Sequence, residues 1–174
     1  MAKKWSNLNL PGALHFVTAN VLDRTPVFAR PSSCAAFLEE LGNVNNSWPS
    51  KLIAYVLMPD HFHLVSNPRD GRIIEFIGAL KSHIARRLGG ELWQESFKAV
   101  PLWSDWMVWQ KINYIHANPV RAGLVKSARD YQWSSFHAYY PSALTSLALN
   151  REWWWPDDAE KLSRAIWAFA GNSC

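Results

Sequence analysis

Residues 51–66 read KLIAYVLMPDHFHLVS, and this stretch decides the fold. It contains two strand-like runs, 51–57 and 61–66, which are rich in β-branched and aromatic residues. Only Met58-Pro59-Asp60 separates the two runs. A connection this short cannot carry the crossover that a parallel pair needs, so the stretch predicts an antiparallel hairpin.

Strands and helices alternate on both sides of this hairpin. The predicted elements, in chain order, are a strand over 14–21, a helix opened by Pro31, the hairpin, a helix over 73–88, a strand within 91–101, a helix from Ser104 to Asn118, and a last helix over 157–170. Gly89 is expected to end the second helix, and Pro119 to stop the third. This order predicts an α+β fold in which two helices cover one face of an antiparallel sheet and the other face stays open for a site.

The composition is that of a single soluble domain. Of the 174 residues, 49% are hydrophobic and 14% are aromatic, which excludes a disordered or fibrous chain. Cys34 and Cys174 form no CxxC pair, so no disulfide framework is expected and a cytoplasmic, nucleoid-associated location is favoured. No apolar run is long enough to span a membrane. The net charge of +4 and the pI of about 9.2 favour polyanionic partners but do not require them.

Two histidines alternate with apolar residues along the second strand of the hairpin. Because side chains alternate across a sheet, His61 and His63 project from one face, while Phe62 and Leu64 project from the other. Two neutral imidazoles side by side suit a divalent metal ion. The alternative is an ordinary half-buried strand that happens to carry two histidines.

The third predicted helix favours the metal interpretation. Its apolar stripe is formed by Val108, Ile112 and Ile115. At 100° per residue, Tyr114 and Asn118 lie on the opposite side, one turn apart, so an amide oxygen could join a phenol beside the metal. A phenol is a weak nucleophile at neutral pH unless it is activated, and a metal ion polarises a phosphate under attack. Taken alone, Tyr114 would be a surface tyrosine of an amphipathic helix.

Four blocks of the sequence resemble the single-tyrosine HUH transposases and, among them, the REP-associated tyrosine transposases of bacteria. The blocks are AYVLMPDHFHLV at 54–65, WQ at 93–94, YIHANPVRAGLV at 114–125 and YQWSS at 131–135. They occur in the family's order and spacing. With a similar opening strand and turn, the resemblance covers roughly 14–140, which would be the core of a single domain over 1–174 with a C-terminal helical extension over about 141–174.

The resemblance implies a ferredoxin-like fold and a role for each matching residue. His61 and His63 would be the metal ligands, Asn118 the third ligand and Tyr114 the nucleophile, with Mg²⁺ as the usual metal and Mn²⁺ as a substitute. Tyr114 would attack a phosphate of single-stranded DNA beside a DNA hairpin, forming a 5′-phosphotyrosine link and freeing a 3′-hydroxyl. Related transposases include dimers, and both a monomer and a homodimer are compatible with the sequence.

Asp60 departs from the family, in which many members carry Asn before the first histidine. The carboxylate adds a negative charge near the metal, so we expect it to change metal affinity or preference without abolishing activity.

Basic side chains on or beside the helices that bracket the site are predicted to contact the DNA. They are Lys81, Arg86, Arg87, Lys111 and Arg121. For each one, the alternative is plain solvated surface.

Two other functions fit the same residues. A protein that recognises DNA hairpins without cutting them would show the same binding features. A metal-dependent phosphodiesterase would activate water at the histidines and use Tyr114 only to position its substrate. The intact set of Tyr114, His61 and His63 favours the transposase.

Overall fold

The predicted hairpin forms one half of the central sheet. In the computed structural model, which describes residues 10, 12–48, 50–140 and 147–153, strand β2 is Ser50–Met58 and strand β3 is His61–Pro68. The two strands pair antiparallel, with Met58 opposite His61. The hairpin prediction is confirmed, and each strand extends one or two residues further than the sequence indicated.

Two further strands complete the sheet. Strand β1 is Leu14–Asn20 and β4 is Lys98–Leu102, so the ambiguous region after the second helix does contain a strand. The strand order is β2-β3-β1-β4, and every neighbouring pair is antiparallel. This order, with one helix after β1 and another after β3, confirms the expected α+β, ferredoxin-like architecture.

Helices α1 (Pro31–Ser47) and α2 (Ile73–Leu88) cover one face of the sheet, as predicted. Their apolar stripes meet the inward side chains of the strands in a core that includes the fully buried rings of Phe37, Phe62 and Phe76. Truncating such a ring to Ala typically costs about 3 to 5 kcal/mol. Gly89 follows α2 with φ of +83°, a value that suits glycine and ends the helix there.

Helix α3 spans Asp105–Arg121 and begins as predicted, because the Ser104 hydroxyl accepts a hydrogen bond from the Met107 amide at 3.2 Å. The prediction that Pro119 stops this helix is wrong. Pro119 is inside the helix, whose end is closed by a bond from the Ala122 amide to the Asn118 carbonyl. A proline this close to a helix end removes one hydrogen bond of the last turns and leaves the rest of the helix intact.

The sequence predicted that the face opposite α1 and α2 stays open, but part of that face is covered. The apolar stripe of α3 packs there against β2 and β3 in a second core. Its buried members from the helix are Val108, Ile112 and Ile115, and those from the hairpin include Ile53, Val56 and Val65. The helix that carries the tyrosine therefore lies directly on the sheet that carries the histidines.

The segment after α3 protects the outer edge of β2. Leu57 donates its amide hydrogen to the Trp133 carbonyl at 2.9 Å, and Ser135 donates its own to the Tyr55 carbonyl at 2.9 Å. The Tyr131 hydroxyl donates to the Leu57 carbonyl at 2.6 Å. These bonds occupy backbone groups of an edge strand that would otherwise be open to a second chain.

A short helix, α4, follows at Phe136–Tyr139, and the predicted last helix over 157–170 lies outside the described residues. Within the described parts of the chain, no helix combines the length and apolar character that a membrane span requires.

Candidate active site

The two histidines of β3 lie side by side on the sheet face that α3 covers. Their ring centroids are 4.8 Å apart and the rings are nearly perpendicular. The His63 ring stacks on Phe16 of β1, whereas Phe62 points into the core under α1 and α2. The alternation of side chains predicted from the sequence is confirmed.

Each histidine has a polar partner for its Nδ1 atom. The Asp60 carboxylate lies 2.6 Å from Nδ1 of His61, and the Thr18 hydroxyl lies 2.8 Å from Nδ1 of His63. A carboxylate can only accept, so Nδ1 of His61 carries the proton and Nε2 is left with a lone pair. Engaging Nδ1 in this way orients a ring for metal binding through Nε2.

Burial keeps both imidazoles neutral. It lowers the pKa of His63 to about 3, with a further lowering from neighbouring His61, and the His63 side chain is almost fully enclosed. Burial also lowers the pKa of His61, although the hydrogen bond and charge of Asp60 act in the opposite direction. Neutral imidazole is the form that donates a lone pair to a metal ion.

Tyr114 of α3 lies next to this pair. Its ring centroid is 5.4 Å from that of His63 and 5.8 Å from that of Phe16, in edge-on contacts. The side chain is partly exposed, so a substrate can approach it from solvent. The structure thus brings the predicted nucleophile and a predicted metal ligand into ring contact, although they are about 50 residues apart in sequence.

Two basic side chains of α3 flank the tyrosine. The Lys111 ammonium is 5.8 Å from the centre of the Tyr114 ring and 4.9 Å from that of Phe16. The Arg121 guanidinium is 5.6 Å from the Tyr114 ring on its other side along the helix. A polyanion that reached the tyrosine would meet both cations.

Asn118, the predicted third ligand, lies one turn beyond Tyr114 and is partly exposed. Its side chain forms no hydrogen bond with another described residue, so its amide is free to take a ligand. Within the described residues, no group of three His, Cys, Asp or Glu side chains could hold a metal ion.

The other three predicted DNA contacts lie on α2, which packs on the opposite face of the sheet. The Lys81 ammonium donates to the Gln94 carbonyl at 2.8 Å and to the Glu95 carbonyl at 3.2 Å. Arg87 forms ion pairs with Glu39 and Glu40 of α1. Arg86 is exposed and bonds weakly to a carbonyl of its own helix. The structure does not bring these three side chains to Tyr114.

Sequence reasoning missed two residues that orient the histidines. Thr18 pairs with His63 across β1 and β3, and a strand-register argument could have found it. Arg24 binds the Asp60 carboxylate through Nε at 2.8 Å. No local sequence signal indicates that contact, because it joins a loop to a turn more than 30 residues away.

Comparisons with known proteins identify the family and the fold. Residues 13–118 match the family described as Transposase IS200 like. A protein of Haemophilus influenzae named as a REP-associated tyrosine transposase is 27% identical over 143 residues, which covers 72% of this chain and 81% of that protein. A solved structure of a REP-associated tyrosine transposase bound to a REP hairpin superposes with a TM-score of 0.72 at 20% identity, covering 86% of this chain and 93% of the other. Since the family match spans more than half of the sequence, the chain belongs to the IS200-like transposase family.

Proposed function

We propose that this chain cuts and rejoins single-stranded DNA beside DNA hairpins, through a covalent bond between Tyr114 and a 5′-phosphate, with a divalent metal ion at His61 and His63. The observation that carries the proposal is the ring contact between Tyr114 and His63, at 5.4 Å between centroids. A nucleophile and a metal site must act on the same phosphate, and the contact between these two side chains supports assigning them the two roles.

The donor set fits a divalent ion. Burial favours the neutral form of His61 and His63, their Nδ1 atoms contact Asp60 and Thr18, and their Nε2 atoms are the proposed ligands. The Asn118 amide oxygen is the proposed third ligand. Mg²⁺, with Mn²⁺ as a substitute, is the ion that the family resemblance implies, and such an ion would supply Lewis-acid polarisation of the phosphate.

The chain's own residues account for the rest of the reaction. The Tyr114 oxygen would bond to phosphorus and give its proton to solvent as the phosphorus–O3′ bond breaks, and the departing O3′ would take up a proton from solvent. The products are a 5′-phosphotyrosine and a free 3′-hydroxyl, so the phosphoester bond is conserved and the step can be reversed without ATP. Lys111 and Arg121 flank the tyrosine and would draw the DNA backbone to it.

Hairpin DNA is the proposed substrate because the similar solved structure is described as bound to a REP hairpin. Single-stranded DNA next to the hairpin would supply the phosphate, since an unpaired strand can bend into a site formed between a sheet and a helix.

The test mixes the protein with labelled hairpin DNAs that carry randomised single-stranded flanks, in Mn²⁺ or in EDTA, and resolves the products on a denaturing gel. We expect a slowly migrating protein–DNA adduct that needs the metal and is absent from Tyr114→Phe. Tyr140→Phe is the matched control, because Tyr140 is an exposed tyrosine outside the site, and it should form the adduct normally.

Two other outcomes would each support a different function. Cleavage that continues in Tyr114→Phe without an adduct would indicate a phosphodiesterase that activates water. Tight hairpin binding without adduct or cleavage, across several metals and flanks, would indicate a binding protein that does not cut.

A further inference from the structure

Both oxygens of the Asp60 carboxylate are already bonded. Oδ1 accepts from Nδ1 of His61 at 2.6 Å, and Oδ2 forms an ion pair with Arg24, 2.8 Å from its Nε atom. The carboxylate therefore faces the back of the His61 ring, away from the side on which Nε2 would bind an ion. Asp60 thus acts on the site through His61.

Arg24 is held from its other side as well. Its guanidinium donates to the Asn20 side-chain oxygen, and the Asn20 amide donates to the Gln94 side chain at 3.1 Å. The guanidinium also lies 3.5 Å from Nδ1 of His61, too far to displace the 2.6 Å bond from Asp60. Arg24 thus joins the end of β1 to the turn that precedes His61.

The backbone around Arg24 takes an uncommon conformation. Asp23 and Arg24 have φ of 52° and 56°, and they are the only non-glycine residues with positive φ in the described part of the chain. Such values are disfavoured for side chains with a Cβ atom. They persist when the surrounding structure fixes them, and they often occur at functional sites.

Hydrogen bonds on both sides of Arg24 fix this loop to the same turn. The Val21 amide donates to the Asp60 carbonyl and the Phe28 amide to the Pro59 carbonyl, each at 2.9 Å. The loop is therefore attached to the turn before and after Arg24. This attachment directs the Arg24 side chain at Asp60.

We propose that Arg24 is a positioning residue for the metal site: it fixes the Asp60 carboxylate, which holds His61 in its Nδ1–H form with Nε2 free. A neutral imidazole in water favours the Nε2–H form, in which the nitrogen needed by the metal carries the proton. Which nitrogen is protonated is set by the bond that the other one forms. The cation of Arg24 also offsets the charge that Asp60 adds in place of the family's Asn. This inference rests on the proposed metal site.

The first test needs no metal. Nitrogen-15 NMR of labelled histidines at pH 8.5, in metal-free protein, reports the tautomer of His61, which is assigned with His61→Gln. We expect the Nδ1–H form in the wild type and a shift towards the Nε2–H form in both Arg24→Ala and Asp60→Ala. Asp60→Asn should keep the wild-type tautomer, because its amide oxygen accepts the same bond.

The second test measures Mn²⁺ affinity by titration calorimetry. Loss of a group that orients a ligand typically weakens metal binding by about 10- to 100-fold, and we expect this range for Arg24→Ala and Asp60→Ala. The double variant should bind no more weakly than the weaker single variant, because the two residues act in one chain of contacts. Arg72→Gln, which removes an exposed arginine–glutamate pair on α2, is the matched control and should bind like the wild type.

The proposal is overturned if Arg24→Ala keeps both the wild-type tautomer and the wild-type Mn²⁺ affinity, or if its affinity rises. Circular dichroism melting of each variant separates a loss of fold from a loss of orientation. Failure of the proposed metal site would look different: the wild type and His61→Ala would bind Mn²⁺ equally weakly.

Discussion

Tyr114 owes its surroundings to its position along α3. Residues three and four apart lie on one face of a helix, so Lys111, one turn before the tyrosine, places its ammonium beside both the phenol ring and Phe16. Arg121, about two turns after it, contacts the same ring from the other end. The positive charge near Tyr114 is thus carried by side chains of the same helix.

Lys111 should contribute to DNA binding through phosphate contact. We expect Lys111→Gln to weaken binding of single-stranded DNA similarly for all sequences and to reduce the slope of log affinity against log salt by about one. Binding measured by fluorescence anisotropy at several salt concentrations checks this, with Arg72→Gln as an exposed control on the other face. An unchanged slope in Lys111→Gln would show that its ammonium does not meet a phosphate.

At the scale of elements, α3 must be held at a fixed height on the sheet for its tyrosine to reach His63. One fixed point is the buried Ser135 hydroxyl, which bonds the Tyr55 amide of β2 at 3.0 Å and the Tyr55 carbonyl at 3.1 Å. The same hydroxyl lies 2.9 Å from Nε2 of His116 on α3. Ser135 therefore links α3 to the edge strand β2, and the role of His116 is to form the helix side of this link.

Ser135→Ala should loosen this link. The variant removes the hydroxyl that bonds the Tyr55 amide and lies beside Nε2 of His116, and the loss of a buried hydrogen-bond partner typically costs about 1 to 3 kcal/mol. We expect the free energy of unfolding, from urea denaturation, to fall by about 2 kcal/mol or more. Ser82→Ala, at an exposed site on α2, is the control and should change little. Equal stability of the two variants would mean that the Ser135 bonds are replaced by water.

The sequence predicted those features that follow from local periodicity. Alternation along β3 placed both histidines on one face. Helical periodicity put Tyr114 on the side of α3 opposite the stripe, whereas in the structure Tyr114 packs against the same core as the stripe and contacts Phe16. The features that it missed depend on tertiary contacts. Whether a basic side chain is available to contact DNA depends on its neighbours in space. Arg87, for example, forms ion pairs with Glu39 and Glu40 of α1. The contact of Arg24 with Asp60 depends on a loop in which Asp23 and Arg24 have positive φ, and the residue types of that loop do not predict this conformation.

At the scale of the whole molecule, the site lies on the α3 face but is supported from the α1 face. The loop that carries Arg24 ends at Phe28, whose ring packs against Phe37 in the core under α1. The Cys34 thiol, in the first turn of α1, donates to the Phe28 carbonyl at 3.0 Å. The core under α1 thus supports the turn before His61, because the Phe28 amide donates to the Pro59 carbonyl of that turn.

Cys34 should make the free energy of unfolding depend on pH in the alkaline range. Burial raises the pKa of its thiol to about 11 from an ordinary value of 9.0. A raised pKa in the folded state means that stability is complete below pH 9 and is lost as the pH rises towards 11, because the unfolded thiol ionises first. At 1.36 kcal/mol per pKa unit, the loss is on the order of 2 to 3 kcal/mol.

Urea unfolding at pH 8 and pH 10.5, in a Cys174→Ser background, measures this effect. We expect the free energy of unfolding to fall more between the two pH values with Cys34 present than in Cys34→Ala. Ala lacks an ionisable group, and the contribution of the lysines cancels in the comparison. Tyr131 is the exception among the tyrosines: burial raises its pKa, and the charge of Cys34 raises it further, so its ionisation becomes easier in Cys34→Ala. The same decline in both proteins would show that the Cys34 thiol ionises as easily in the fold as in the unfolded chain, and the loop before His61 would then owe nothing to the protonated thiol.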